Sequence, residues 1–215
     1  QSEILEILIY TDKPVEDPVE EKLNYALEFF SPELFTFLRE KIDLAGIDRS
    51  DTAVMSTDNL FNIQAMDSRR HKLLINLHKV NDVRWLNRYF LEVHNKIKKN
   101  GYFVGKVHTI ATHRQYFVSR YPGFWGDVLY GVDFIWRRIF PKLPMAKKVY
   151  FAVTQGRNRM ISKAEVLGRL YFCGFTLVAE KEIDNRLFFI AQKMKKPSLN
   201  RNPTYGPIVA LNRKG

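Results

Sequence analysis

The sequence holds one cysteine, Cys173, in 215 residues. That excludes an internal disulfide framework and agrees with a reducing compartment. Cys173 lies between Phe172 and Gly174 and reads as a small buried hydrophobe rather than a nucleophile. No G-x-G-x-x-G loop follows any apolar run, although backbone N–H groups need one to approach a dinucleotide closely. G-x-S-x-G and Walker loops are also missing, so acyl transfer and P-loop nucleotide hydrolysis have no support. The five histidines include no H-x-x-x-H pair and no neighbouring cysteine cluster, which argues against a metal site. No stretch approaches the ~18 uncharged apolar residues of a membrane span, and no signal peptide is evident. The chain starts at Gln1 rather than Met, the pattern of a fragment or a processed product.

Acidic residues are scarce in one part of the chain only. Residues 1–136 carry 17 Lys+Arg and 19 Asp+Glu, a net of −2; residues 137–215 carry 17 against 4, a net of +13. This asymmetry points to an anionic partner: a phosphate-bearing ligand, an anionic membrane or nucleic acid. Nucleic acid is the weakest of the three. The aromatic residues fall mostly on apolar faces rather than on a platform between basic residues.

What is present is an alternation of strand and helix signals. Residues 73–105 (LLINLHKVNDVRWLNRYFLEVHNKIKKNGYFVG) read as an apolar strand, an amphipathic helix, an Asn-Gly stop and a second strand, a βαβ unit of a parallel sheet. A short apolar run occupies residues 3–10, and helices start at Asp17-Pro18 and Ser31-Pro32. A strand is expected at 52–56 and another at 73–77. A helix follows at about 82–98, capped by Asn81 or Asp82, and a parallel strand at 102–108. Residues 124–140 form a helix with a broad apolar face and Arg137, Arg138, Lys142, Lys147 and Lys148 near its C-terminal end. Packing of this face on the sheet is expected over insertion into a membrane interface, because the helix also carries Asp127 and Asp133. Residues 149–154 (VYFAVT) read as a strand, 162–173 as a helix capped by Ser162, and 175–183 with 187–192 as a hairpin. The expected fold is α/β and Rossmann-like, mostly parallel with a C-terminal antiparallel hairpin and helices on both faces. Residues 1–195 form that domain, and 196–215 a polar, proline-bearing linker and the start of a further segment.

Ligands of open α/β sheets bind beyond the carboxyl ends of the strands. The candidates there are Ser56, Thr57 and Asp58, then His78, Asn81 and Asp82, then His108 and Thr109. A helix-cap role suits Asp82 better than an acid role. The segment QGRNRMISK offers Arg157, Arg159 and Lys163 beside a helix N-terminus, which suits phosphate. Two solvated arginines in a loop explain the same residues equally well.

Two resemblances follow from these residues. The strand at 73–77, its helix, the KNGYFVG strand and the helix–CGF–hairpin order resemble the second half of class I S-adenosylmethionine methyltransferases, whose closing antiparallel hairpin is characteristic. The family's glycine-rich cofactor loop belongs to the first half, which the chain lacks; S-adenosylmethionine is expected only if the chain is a methyltransferase with a degenerate loop. The segments INLHKVNDVRWLNRYF, FPKLPMAKKVYF, TQGRNRMISKAEVLGRLYFCGF and NPTYGPIVALNRKG look like the N-terminal region of bacterial exopolysaccharide and capsule sugar transferases, relatives of the polyprenyl-phosphate sugar-phosphate transferases. That resemblance implies an accessory, non-catalytic domain, because the family's Asp-Glu dyad in an L-D-E-L-P context does not occur in this sequence. It also implies a cytoplasmic, peripheral position at the inner membrane face. The implied partners are an anionic membrane surface or polyprenyl-phosphate acceptor, a nucleotide sugar and a downstream transferase module.

Overall fold

The computed structural model describes residues 19–197 except 29, 30, 122, 155, 156 and 158. The expected run at 3–10, the Asp17-Pro18 cap and the closing GPIVALNRKG segment lie outside the described residues.

Leu73, Leu74 and Ile75 are fully buried, as a strand with apolar side chains on both faces requires. They belong to β2 (His71–Lys79), which runs parallel to β1 (Thr52–Met55) on one side and β3 (Ile97–Val107) on the other. β3 pairs antiparallel with β5 (Arg186–Lys193), and β5 pairs antiparallel with the edge strand β4 (Phe175–Ile183). The sheet order is β1-β2-β3-β5-β4, so only β5 runs against the others. Asp184 and Asn185, with φ of 49° and 57°, make the two-residue turn of the closing hairpin. The expected fold class is thereby observed.

Helices cover both faces. α1 (Val19–Glu28) and α2 (Pro32–Lys41) bury Leu23, Leu27, Leu34 and Leu38 against Ile75, Val104 and Ile190. Ser31 starts α2 by accepting the Leu34 N–H. On the opposite face Ile63 of α3 (Leu60–Ala65), Phe90 of α4 (Leu86–Lys96) and Val166 of α8 (Lys163–Phe172) pack on Leu74, Phe103 and Phe189. Cys173 is fully buried there, and burial pushes its thiol up to about 12.

A helical insertion separates β3 from α8. It comprises α5 (Ile110–Arg120), α6 (Phe124–Phe134), a π-turn at Ile135–Ile139, a 3-10 turn at Phe140–Lys142 and α7 (Pro144–Thr154). Two expectations are corrected in this region. Residues 149–154 end α7 and form no strand: buried Tyr150 packs on Trp136, with ring centroids 5.8 Å apart, and Thr154 Oγ1 donates to the Tyr150 carbonyl. Nor is the apolar face of α6 packed on the sheet, since its only buried residue is Gly126.

A third correction concerns α4. It starts after Trp85, which makes no side-chain cap, rather than at Asn81 or Asp82. Those two residues lie in a 3-10 turn, Val80–Asp82, and their side chains are used elsewhere.

Candidate functional site

The carboxyl end of β1 is closed by Asn76, the residue that interrupts the apolar run of β2. Its Oδ1 accepts the N–H groups of Thr57 and His78, each at 3.0 Å, and its Nδ2 donates to the Thr57 carbonyl at 2.8 Å and the Tyr89 hydroxyl at 2.6 Å. The Asn59 N–H donates to Thr57 Oγ1, and the Phe61 N–H to Asn59 Oδ1. Asp58 forms an ion pair with Arg157 at 3.2 Å. In a methyltransferase-like sheet this turn would receive S-adenosylmethionine. Here it has no glycine, the Thr57 N–H is spent on Asn76 and the Asn59 and Phe61 N–H groups within the turn, and α3 behind it spans six residues. This turn lacks the glycine-rich loop that the resemblance assigns to that cofactor.

At the end of β2, His78 Nε2 lies 2.9 Å from Asp82 Oδ2, and Lys79 Nζ lies 3.6 Å from the same oxygen. Asn81 is a clamp: its Nδ2 donates to the carbonyls of His108 and Arg159, both at 2.8 Å, while its Oδ1 accepts the His108 N–H at 2.7 Å. A buried amide satisfied at three points fixes the spacing of the β2 and β3 ends against the loop before α8.

At the end of β3, Thr109 and Thr112 form a reciprocal capping box that starts α5. His108 packs edge-on against His113, with ring centroids 4.8 Å apart. His113 Nε2 lies 2.6 Å from Asp133 Oδ2, and Arg137 Nε donates to the other Asp133 oxygen at 2.7 Å. Burial opposes ionisation of Asp133, but the hydrogen bonds from His113 and Arg137 outweigh it and hold the carboxyl below its ordinary value. Burial pulls His108 down to about 4, helped by the charges of His113, Lys79, Arg186 and Arg137. His108 is therefore a neutral imidazole at pH 7 in a cationic setting. Lys79, Asn81, His108, His113, Arg137, Arg159 and Met160 line a crevice of about 10 Å³, room for roughly one water.

The sequence-predicted residues divide clearly. Asp58, His78, Asn81, Asp82 and His108 all lie at the strand ends as expected. Arg157, Arg159 and Lys163 are held by different partners. Arg157 is exposed and meets Asp58; Arg159 turns inward and donates to the Val83 carbonyl at 2.7 Å; Lys163 pairs with Glu180. Burial, and then the charge of Arg169, lower the Arg159 pKa. Lys79, Lys106, Arg186 and the His113–Asp133–Arg137 group are absent from the sequence-derived candidates. Strand register sets Lys79 beside Lys106, and helix packing brings His113 of α5 to Asp133 of α6, which pairs with Arg137 one turn on.

A second feature is the outer face of the insertion. Trp125, Leu129, Val132, Ile135 and Ile139 recur at helical spacing and are exposed, Trp125 at 67% and Val132 at 64%. Phe124 at 77%, and Leu143, Val149 and Val153 of the same insertion, are exposed as well. Arg114, Arg120, Lys142 and Lys148 are exposed on the insertion, and among the described residues only Arg114 of these forms an ion pair, with Asp127. Arg137 and Arg138 turn inward instead: Arg138 donates to Glu165 at 2.8 Å and to the Met160 carbonyl at 2.9 Å. Arg138 thereby ties the insertion to α8 and the loop before it, while Arg137 binds Asp133 within the insertion. Among the described residues no helix is long and apolar enough to cross a membrane. No group of three His, Cys, Asp or Glu side chains gathers there as a metal site.

No family model and no curated protein matches the chain. Solved structures do. A SAM-dependent methyltransferase from Thermotoga maritima is 13% identical over 63% of this chain and 60% of its own, with a TM-score of 0.36. One from Mesorhizobium loti is 13% identical over 60% of this chain and 66% of its own, with a TM-score of 0.38. A chain of the Haloferax volcanii complex between the Trm112 methyltransferase activator and a methyltransferase is 11% identical over 86% of both chains, with a TM-score of 0.41. The chain thus spans about 60% of the length of the Thermotoga protein it matches. The expected membership of a sugar-transferase accessory region, with its exopolysaccharide and capsule roles, is corrected by these findings. The matching structures named here are described as methyltransferases, and the GPIVALNRKG segment that closed the sugar-transferase resemblance lies outside the described residues. At these values the likeness is one of layered sheet. It assigns neither a substrate nor a ligand to this chain.

Proposed function

We propose that the protein is a peripheral membrane-docking module. In this reading an α/β domain seats the outer face of its α5–α7 insertion in the interface of an anionic bilayer. The observation that carries it is the unpartnered apolar stripe of α6, with Leu143, Val149 and Val153 exposed on the same insertion. A large aromatic or aliphatic side chain removed from water contributes about 1.5–3 kcal/mol, so a handful suffices for reversible attachment. Charge agrees: Arg120, Lys142 and Lys148 are exposed on the insertion, and each cation near an anionic surface adds about 1 kcal/mol. Asp127 is neutralised by Arg114 and Asp133 by Arg137.

Co-sedimentation with vesicles of phosphatidylcholine and phosphatidylglycerol tests the reading. The wild-type chain pellets with them, and the double variant Trp125→Asp, Val132→Asp stays in the supernatant. Both positions are exposed, so the variant keeps its fold. A wild-type chain that stays in the supernatant, or a double variant that pellets equally well, rejects the proposal.

A second reading, methyl transfer from S-adenosylmethionine, is favoured by the strand order with its single reversed strand. The closed turn after β1 weighs against it. Calorimetric titration with S-adenosylmethionine separates the two: micromolar binding would establish a cofactor site despite the missing glycines, and silence would retire this reading.

A further inference from the structure

Lys79 and Lys106 are register partners on adjacent parallel strands, and Lys106 is in turn the register partner of Phe188 on β5. Side chains alternate along a strand, so Lys79 shares the face of Ile75 and Leu77, Lys106 that of Val104, and Arg186 that of Phe188 and Ile190. All three cations stand on the α1–α2 face, at the carboxyl ends of β2 and β3. Like charges opposite one another on a sheet are destabilising. Lys79 is offset by Asp82. Among the described residues, neither Lys106 nor Arg186 meets a hydrogen-bonding or ionic partner, and Lys106 is half-buried. Asp82 is committed to His78 and Lys79, and Asp133 to His113 and Arg137. Burial first, then the charges of Arg186 and Lys79, pull Lys106 down to about 8. A half-buried ammonium held against two other cations serves no packing purpose.

We infer that Lys106 and Arg186, flanked by Lys79 and His108, form a binding site for a phosphomonoester or diphosphate group at the carboxyl ends of β2 and β3. The planar guanidinium of Arg186 suits two phosphate oxygens at once, and Lys106 supplies a compact charge from the sheet floor. His108 adds a neutral ring that can donate to an oxygen without adding repulsion. Its two principal cations differ from Arg157, Arg159 and Lys163, and it does not depend on the membrane reading.

The test is calorimetric titration of the full chain with inorganic pyrophosphate at pH 7 and low salt. Lys106→Gln and Arg186→Gln should each weaken binding about tenfold, the scale of one charge-assisted hydrogen bond, while Lys142→Gln on the insertion leaves it unchanged. Lys106→Gln should also raise the melting temperature without ligand, since it removes a costly charge. A headgroup source is distinguished with vesicles in which phosphatidic acid replaces part of the phosphatidylcholine. Selective loss of phosphatidate-dependent pelleting in Lys106→Gln assigns the phosphate to a lipid. Binding of pyrophosphate in the Trp125→Asp, Val132→Asp variant assigns it to a soluble compound. The inference is overturned if pyrophosphate and phosphatidate are both ignored, or if Lys142→Gln weakens binding as much as Lys106→Gln does.

Discussion

Single polar residues inside the sheet set the shape of its ligand-facing edge. Asn76 meets four groups with one amide, and its replacement by Leu would strand the Thr57 and His78 N–H groups and the Thr57 carbonyl. Each buried group left unpaired costs about 1–3 kcal/mol. Asn76→Leu is therefore expected to lose about 3 kcal/mol in urea denaturation, where an apolar substitution in a mere strand core would cost little. Histidines give a pH signature at the same scale. Burial pulls His94 down to about 4, as it does His108. Unfolded histidine titrates near about 6.5, so between these values the unfolded chain binds protons that the folded chain refuses. The stability these residues contribute is full above pH 6.5 and is lost as pH falls toward 4. Asp133, depressed in the fold, acts in the same direction at lower pH. The melting temperature should fall from pH 7 to pH 5 in wild type, and fall less in His94→Gln.

Elements with strong punctuation were legible in the sequence. Ser31-Pro32 opens α2, Ser162 opens α8, and Asp184-Asn185 turns the final hairpin, because a hydroxyl cap and two residues tolerant of positive φ carry local instructions. Elements whose state depends on neighbours were not. Residues 149–154 are β-branched and aromatic, which suits a strand. Tertiary contact of Tyr150 with Trp136 makes them the end of a helix instead. The strand-end residues Asp58, His78, Asn81, Asp82 and His108 were legible from strand position alone. The basic row was not, because Lys79, Lys106 and Arg186 meet only through register. Gly174 shows how tightly one element's end is set. Its φ is +91°, and a Cβ there would stand 2.4 Å from the Lys195 carbonyl oxygen and 2.9 Å from His94 Nε2. Gly174→Ala should therefore cost at least about 1 kcal/mol in thermal unfolding, whereas Gly168→Ala, in the open on α8, should be neutral or stabilising.

Across the whole molecule, the sheet with its two helical layers is a scaffold, and the insertion after β3 departs from it. Buried leucines, phenylalanines and valines hold α1, α2, α4 and α8 on the sheet, whereas α6 leans on α5 through His113–Asp133 and the ring contacts of Tyr130, and the π-turn after it is tied to α8 by Arg138 and Glu165. Directional bonds along the inner side leave the apolar stripe outward. Removing one tie should loosen the insertion without unfolding the sheet, so Asp133→Asn is expected to raise amide exchange in α5 and α6 while β2 and β3 stay protected. Equal loss of protection in both would show that insertion and sheet unfold as one unit.

Trp125 reports most directly on whether the outward stripe meets lipid. In a chain carrying Trp85→Phe and Trp136→Phe, its fluorescence should shift to the blue on adding phosphatidylglycerol vesicles and be quenched by lipids brominated along their acyl chains. Unchanged emission, or emission quenched only by an aqueous quencher, would contradict membrane docking through α6.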